Sequence, residues 1–184
     1  MIGKDEAILL LKKYIKDENL LVKSIITETL LREIAKLFGK DEEMWGLTGL
    51  LHNLDYEYTR DNPERRGKLS SEILENLLPE PSINAIKANN YMHTDYIPIT
   101  SLDKSLISVA EFSGFIVTVA QSMPSKHLND VDLKILVDRF NDEEFAKEIN
   151  RNRIKLCEDV GLRLEHFFNI SLAAINDISD RLGL

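Results

Sequence analysis

A chain of 184 residues is the length of one ordinary domain and can take roughly two-thirds of its accessible surface out of water on folding, so residues 1–184 are read as a single domain. Asp and Glu number 31 against 23 Lys and Arg, a formal charge of −8, which argues against sequence-independent nucleic-acid binding because phosphate contacts need clustered basic side chains. A single cysteine, Cys157, excludes an internal disulfide and fits a reducing, cytoplasmic setting.

Apolar residues recur at three- and four-residue spacing along most of the chain, and alternating runs are scarce, so the predicted class is all-α. "MIGKDEAILLLKKYIKDE" has an apolar centre far shorter than the ~20 residues of a membrane span. It reads as an amphipathic helix from about Lys4 to Ile15, with Ala7, Leu10, Leu11 and Tyr14 facing inward, and no membrane partner is expected. "NLLVKSIITETLLREIAKLFG" predicts a second helix with Asn19 as N-cap and Gly39 as its left-handed stop. Asp41 caps a third, "EEMWGLTGLLH", whose first-turn glutamates suit the positive end of the helix dipole and whose C-terminal end delivers His52.

A polar connection, "NLDYEYTRDN", leads to Pro63 as the first residue of a helix over "PERRGKLSSEILENL". Pro79 and Pro81 separate it from a helical "SINAIKANNYMH", and "TDYIPIT" reads as a loop. "LDKSLISVAEFSGFIVTVAQSM" is apolar on nearly every face, apart from a few residues including Glu111, and should cross the middle of the domain. After a second loop, "PSKHLNDVD", shorter helices are expected from about Val131 and from Asp142. Cys157 lies on a helix-like stretch with Ile154, Val160 and Leu164 and reads as a small core residue. Leu164, Phe168, Leu172, Ile175, Ile178 and Leu182 mark the inner face of a terminal helix.

Chemistry-bearing motifs are mostly missing: the chain has no Gly-rich phosphate turn, no G-x-S-x-G elbow, no cysteine pair and no HExxH. Of the four histidines, His166 sits beside core aromatics and His127 in a polar loop. His52 stands apart, closing an apolar helix with Asp55 and Glu57 close behind. At a helix C-terminus it could also serve the dipole and the last carbonyls.

In order along the chain, "NLLVKSIITETLLREIAKLFGKDEEMWGLTGLLHNLDYE", "PERRGKLSSEILENLLPE", "AIKANNY", "LDKSLISVAEFSGFIVTVAQSMPSK" and "FAKEINRNRIKLCEDVGLRLEHFFNISLAAI" resemble the HD-domain superfamily, in its small single-domain branch of predicted metal-dependent phosphohydrolases. The resemblance covers about residues 5–184 and implies an all-helical bundle. It also implies one or two divalent metals held by histidines, a His-Asp doublet and a distant aspartate, with the metal polarising phosphate and activating water. Carried over position by position, the first histidine falls on Ser24, the doublet on His52 and Asn53, the next histidine on Arg66 before Gly67, another on Asn89, and the late aspartate on Glu111.

Only His52 is unchanged among these six, and Glu111 is the one other conventional ligand. Two strong donors are too few for a catalytic metal, amide oxygens are weak substitutes, and a guanidinium repels a dication. The expectation is therefore a degenerate site without metal or other cofactor, in which Arg66 pairs with Glu111 while Ser24, His52, Asn53 and Asn89 hydrogen-bond around them. A relocated metal would have to draw on His52, Asp55, Glu57, His93 and Asp95, whose spacing does not aim them at one point. Glu28 and Arg32, on the face of Ser24, read either as groups that once supported the ligands or as a structural ion pair.

Three functions follow. The first is a binding or regulatory module without phosphohydrolase activity, whose Arg66, with Lys23, Lys68 or Lys87, holds a phosphorylated small molecule or other anion. The second is a residual metal-dependent phosphohydrolase acting on a phosphorylated small molecule or nucleotide, for which His52 is the one candidate general base. The third is a structural or partner-binding helical protein with a closed pocket, a homodimer being one form of it.

Overall fold

The computed structural model of the chain describes residues 1–182; residues 183 and 184 lie outside the described residues. The described part is all-helical and forms one compact domain. Its longer elements are α1 (Lys4–Tyr14), α2 (Glu18–Leu37), α3 (Glu42–Leu51), α5 (Glu80–Ala88), α6 (Ser101–Ser122), α7 (Leu133–Asn141) and α10 (Leu164–Asn176). Short helices α4 (Lys68–Leu74), α8 (Arg151–Ile154), α9 (Leu156–Asp159) and α11 (Ser179–Leu182) complete it, with single 3-10 turns at Tyr56–Tyr58, Pro63–Arg65 and Leu128–Asp130.

The central element is α6, opened by a reciprocal cap between Thr100 and Asp103. Its length and composition would also suit a membrane span, but most of it is buried in the bundle. Phe112 and Phe115 project from it into an aromatic cluster with Phe140, Phe167 and Phe168, whose ring centroids lie 5.0–6.4 Å apart. Cys157 is buried nearby in this core, and burial pushes its thiol up to about 12, so it is the inert core residue expected.

Several local expectations are corrected. The N-cap of α2 is Asp17, whose carboxylate accepts from the Leu20 N–H at 3.1 Å, and Asn19 lies inside the first turn. The helix predicted from Pro63 is split: Arg66 is extended, Gly67 is left-handed (φ 79°), and α4 begins only at Lys68. No helix starts at Asp142. Residues 142–150 form an irregular segment because the Arg151 guanidinium takes over carbonyls that a helix would use, donating to those of Phe140, Asp142, Phe145, Ala146 and Ile149. The terminal helix is broken after Asn176 into α10 and α11.

Two packing details place the end of α3. Buried Glu28 accepts from Lys4 Nζ (2.8 Å) and Arg32 Nε (3.0 Å), and Arg32 reaches on to Glu43 (2.8 Å), tying α1, α2 and α3 together as a structural ion network. Further along the same interface, α3 lies so close to α2 that a Cβ on Gly49 would stand 2.8 Å from the Thr27 carbonyl oxygen. Backbone cannot yield as a flexible side chain can, so Gly49→Ala should destabilise the protein by about 1–3 kcal/mol, read from urea unfolding at unchanged m-value.

Candidate functional site

A polar cleft of about 470 Å³ opens where the end of α3, the end of α5, the middle of α6 and the segment around α8 meet. Of the predicted site residues, His52, Asn53, Arg66, Asn89 and Glu111 all line it, although they come from separate parts of the chain. Ser24 does not. Its side chain is buried and its hydroxyl donates to the Leu20 carbonyl of its own helix at 2.9 Å, while the neighbouring Lys23 lines the cleft.

Glu111 is the anchor of the cleft floor, and its partner differs from the expected one. One carboxylate oxygen accepts the Asn150 backbone N–H at 2.9 Å and the other accepts from Arg153 Nε at 2.8 Å. Arg153 Nη2 then donates to both the main-chain and side-chain oxygens of Asn89, at 3.0 and 3.1 Å. The expected Arg66–Glu111 pair is thus replaced by Arg153–Glu111, a side chain from 42 residues further on. Arg66 is held elsewhere: its guanidinium lies 4.3 Å over the Tyr56 ring, and its Nε is buried without a hydrogen-bond partner.

Asp55 and Asn90, which the sequence did not mark for this task, hold Arg66 in place. The Asp55 carboxylate accepts the N–H groups of Gly67 (2.7 Å) and Ser70 (2.9 Å), and so caps α4 from a distant turn. Asn90 Nδ2 donates to the carbonyls of Pro63 (2.6 Å) and Arg66 (3.1 Å). Gly67 must be glycine on two counts, its positive φ and the Ile86 carbonyl oxygen 2.7 Å from where a Cβ would sit. Burial raises the Asp55 carboxyl above its ordinary range, an effect offset in part by the Ser70 and Gly67 donors.

His52 is buried, and its Nδ1 lies 2.6 Å from the Gly49 carbonyl oxygen. A carbonyl only accepts, so Nδ1 carries the proton of the neutral ring, and Nε2, which has no partner among the described residues, is a lone-pair acceptor. The imidazole pKa is lowered to about 4, chiefly by burial, with the Gly49 hydrogen bond opposing the shift and the Arg153 charge adding to it. Such a ring is a weak base at neutral pH.

The residues present do not fit a catalytic metal. Both Glu111 oxygens are engaged, a permanent guanidinium stands beside them, and among the described residues no group of three or more His, Cys, Asp and Glu could hold an ion. The relocated set is dispersed as well: Asp55 caps α4, Glu57 accepts the Lys16 N–H at 2.7 Å, and His93 alone of the remaining pair joins His52 in the cleft. What the cleft offers is positive charge. Lys23, Arg66 and Arg153 line it against Glu111 and Glu148, and among the described residues no carboxylate lies within ion-pair distance of Lys23 or Arg66. Lys68 and Lys87 do not line it; Lys87 lies over the Tyr96 ring at 5.6 Å.

Comparison with known proteins yields no assignment: no family model, no curated protein and no solved structure matches this chain.

The depressed His52 pKa sets a pH dependence. Between about 4 and 6.5 the unfolded chain binds a proton at this residue that the folded protein does not, so its contribution is full above pH 6.5 and is lost on acidification. The slope approaches about 1.4 kcal/mol per pH unit, for a total on the order of 3 kcal/mol. Asp55 acts in the opposite sense, since its raised pKa favours the folded state on acidification. Comparing the parent with His52→Gln removes the Asp55 contribution, and urea unfolding from pH 7 to pH 4 should show a shallower loss of stability in the variant.

Proposed function

We propose that this protein is a binding module built on a degenerate HD-type helical domain, without metal-dependent phosphohydrolase activity, and that its cleft holds a small phosphorylated or carboxylated molecule. Two things support the HD-type reading. The sequence resemblance is one, and the other is that five of the six positions it singles out converge on one cleft. Chain segments this far apart have no local reason to share a pocket.

The functional reading rests chiefly on the engagement of Glu111. With its oxygens taken by Asn150 and Arg153, the cation of the pocket is a side chain, and a guanidinium attracts an anion without generating hydroxide as a bound metal does. Lys23 and Arg66 supply further positive charge that, among the described residues, has no carboxylate within ion-pair distance, in a protein of formal charge −8. The residual-hydrolase alternative would need a water activator, and His52 with a pKa of about 4 is poorly matched to that task at neutral pH.

Calorimetric titration of untagged protein with inorganic phosphate and pyrophosphate tests this reading. Saturable binding is expected, weakened by added salt and by at least about tenfold in a Lys23→Gln, Arg66→Gln double variant, the equivalent of about 1.4 kcal/mol. No binding, or binding indifferent to those side chains, overturns the reading. Elemental analysis of the same protein should find Mn, Fe, Co, Ni and Zn well below one ion per chain; a stoichiometric ion, or metal-stimulated phosphate release, restores the enzyme. Reverting Ser24, Asn53, Arg66 and Asn89 to His, Asp, His and His should still give no stoichiometric metal while Arg153 remains, and should do so only when Arg153 is also replaced by a neutral residue.

A further inference from the structure

Cations in the cleft explain how an anion would be held, but they leave one atom unexplained. His52 Nε2 is buried and without a donor, on a ring whose other nitrogen is committed to the Gly49 carbonyl at 2.6 Å. Buried acceptors are nearly always satisfied, and one that is not costs free energy comparable to a lost hydrogen bond. The ring lines the cleft with Lys23 and Arg66, so the group that completes it can come from a ligand. The other charged or titratable groups lining the cleft are Arg153, Glu111, Glu148, His93 and Tyr56, and none of them is hydrogen-bonded to Nε2.

We infer that the ligand is bifunctional: an anionic group lies on Lys23 and Arg66, and a hydroxyl or N–H elsewhere on the same molecule donates to His52 Nε2. This deepens the anion-binding reading and rests on it. Inorganic phosphate satisfies the cationic end alone. A hydroxylated organic phosphate satisfies both ends, and the cleft volume of about 470 Å³ lies within the range of small-molecule sites. The selectivity comes from the neutral end, because an analogue without the donor leaves a buried acceptor unmade, and such losses discriminate more sharply than a change in apolar size.

The test compares ribose 5-phosphate with n-pentyl phosphate, which has the same carbon count and no hydroxyl, beside inorganic phosphate, by calorimetry on the full chain. Ribose 5-phosphate should bind at least about tenfold tighter than pentyl phosphate, and the ratio should fall to within about twofold in His52→Phe. In the unsubstituted protein, the nitrogen resonance of His52 Nε2 should move on adding ribose 5-phosphate and stay in place with pentyl phosphate, a readout that does not require any variant to fold. Equal affinity for the two organic phosphates, or an Nε2 resonance indifferent to both, overturns the inference while phosphate binding through Lys23 and Arg66 leaves the anion reading standing. Failure of all three ligands to bind overturns both.

Discussion

The carboxylate of Glu111 is the constraint on which the rest of the cleft depends. It projects from the middle of the central helix, where water can reach it only in part, and a charge in that position must find donors or be expelled. It finds two in the last third of the chain, the Asn150 N–H and the Arg153 guanidinium. That choice dictates much else. Asn150 is the N-cap of α8, so Glu111 fixes where that helix begins, and Arg153 carries the connection on to Asn89 at the end of α5. Three stretches remote in sequence are held around one carboxylate. Arg151, on the same short helix, gathers the carbonyls of the preceding segment, so residues 142–150 are held both by arginine and by Glu111.

The same ion pair decides the chemistry. A divalent metal and a guanidinium both neutralise a carboxylate, but the metal also binds water as a ligand and lowers its pKa, whereas a guanidinium has donors and no vacant coordination position. Arg153 balances the Glu111 charge through hydrogen bonds alone. His52, buried and under the influence of the Arg153 charge, is held neutral.

Elements with long apolar periods were legible in the sequence: α1, α2, α3 and α6 start and stop close to where their caps and periodicity place them, because those signals are local. Two of the misreadings share one cause. The helix expected from Pro63 breaks where Asp55, far back in the chain, supplies the capping carboxylate for Ser70, and the helix expected from Asp142 fails because Arg151 offers its carbonyls a better partner. In both, a side chain outside the window competes for backbone groups inside it. Five of the six positions the sequence singled out, His52, Asn53, Arg66, Asn89 and Glu111, line one cleft, Ser24 does not, and the pairing within the cleft was illegible. Arg153 lies on a four-residue helix with no periodic signature, in "INRNRIK". The usable signal was two arginines two residues apart in an acidic chain, at the point where a lone internal glutamate needed a partner.

Glu28, Asp55 and Glu111 are carboxylates withdrawn from water and held in three different ways, which bears on the groups that remain free in the cleft. Glu28 is enclosed by Lys4 and Arg32, Asp55 by the N–H groups of Gly67 and Ser70, and Glu111 by Arg153 and the Asn150 N–H. All three are spent on holding helices together. Besides Glu148 and His93, the charged or titratable groups left facing the cleft include the donors of Lys23 and Arg66, with the neutral lone pair of His52 as a buried acceptor among them. A surface with that inventory is complementary to a molecule that is mostly acceptor, as a phosphate or carboxylate is, and that carries a donor at the place where His52 stands. Affinity would come from the cations, which many anions can satisfy, and discrimination from the buried His52 imidazole, which few can.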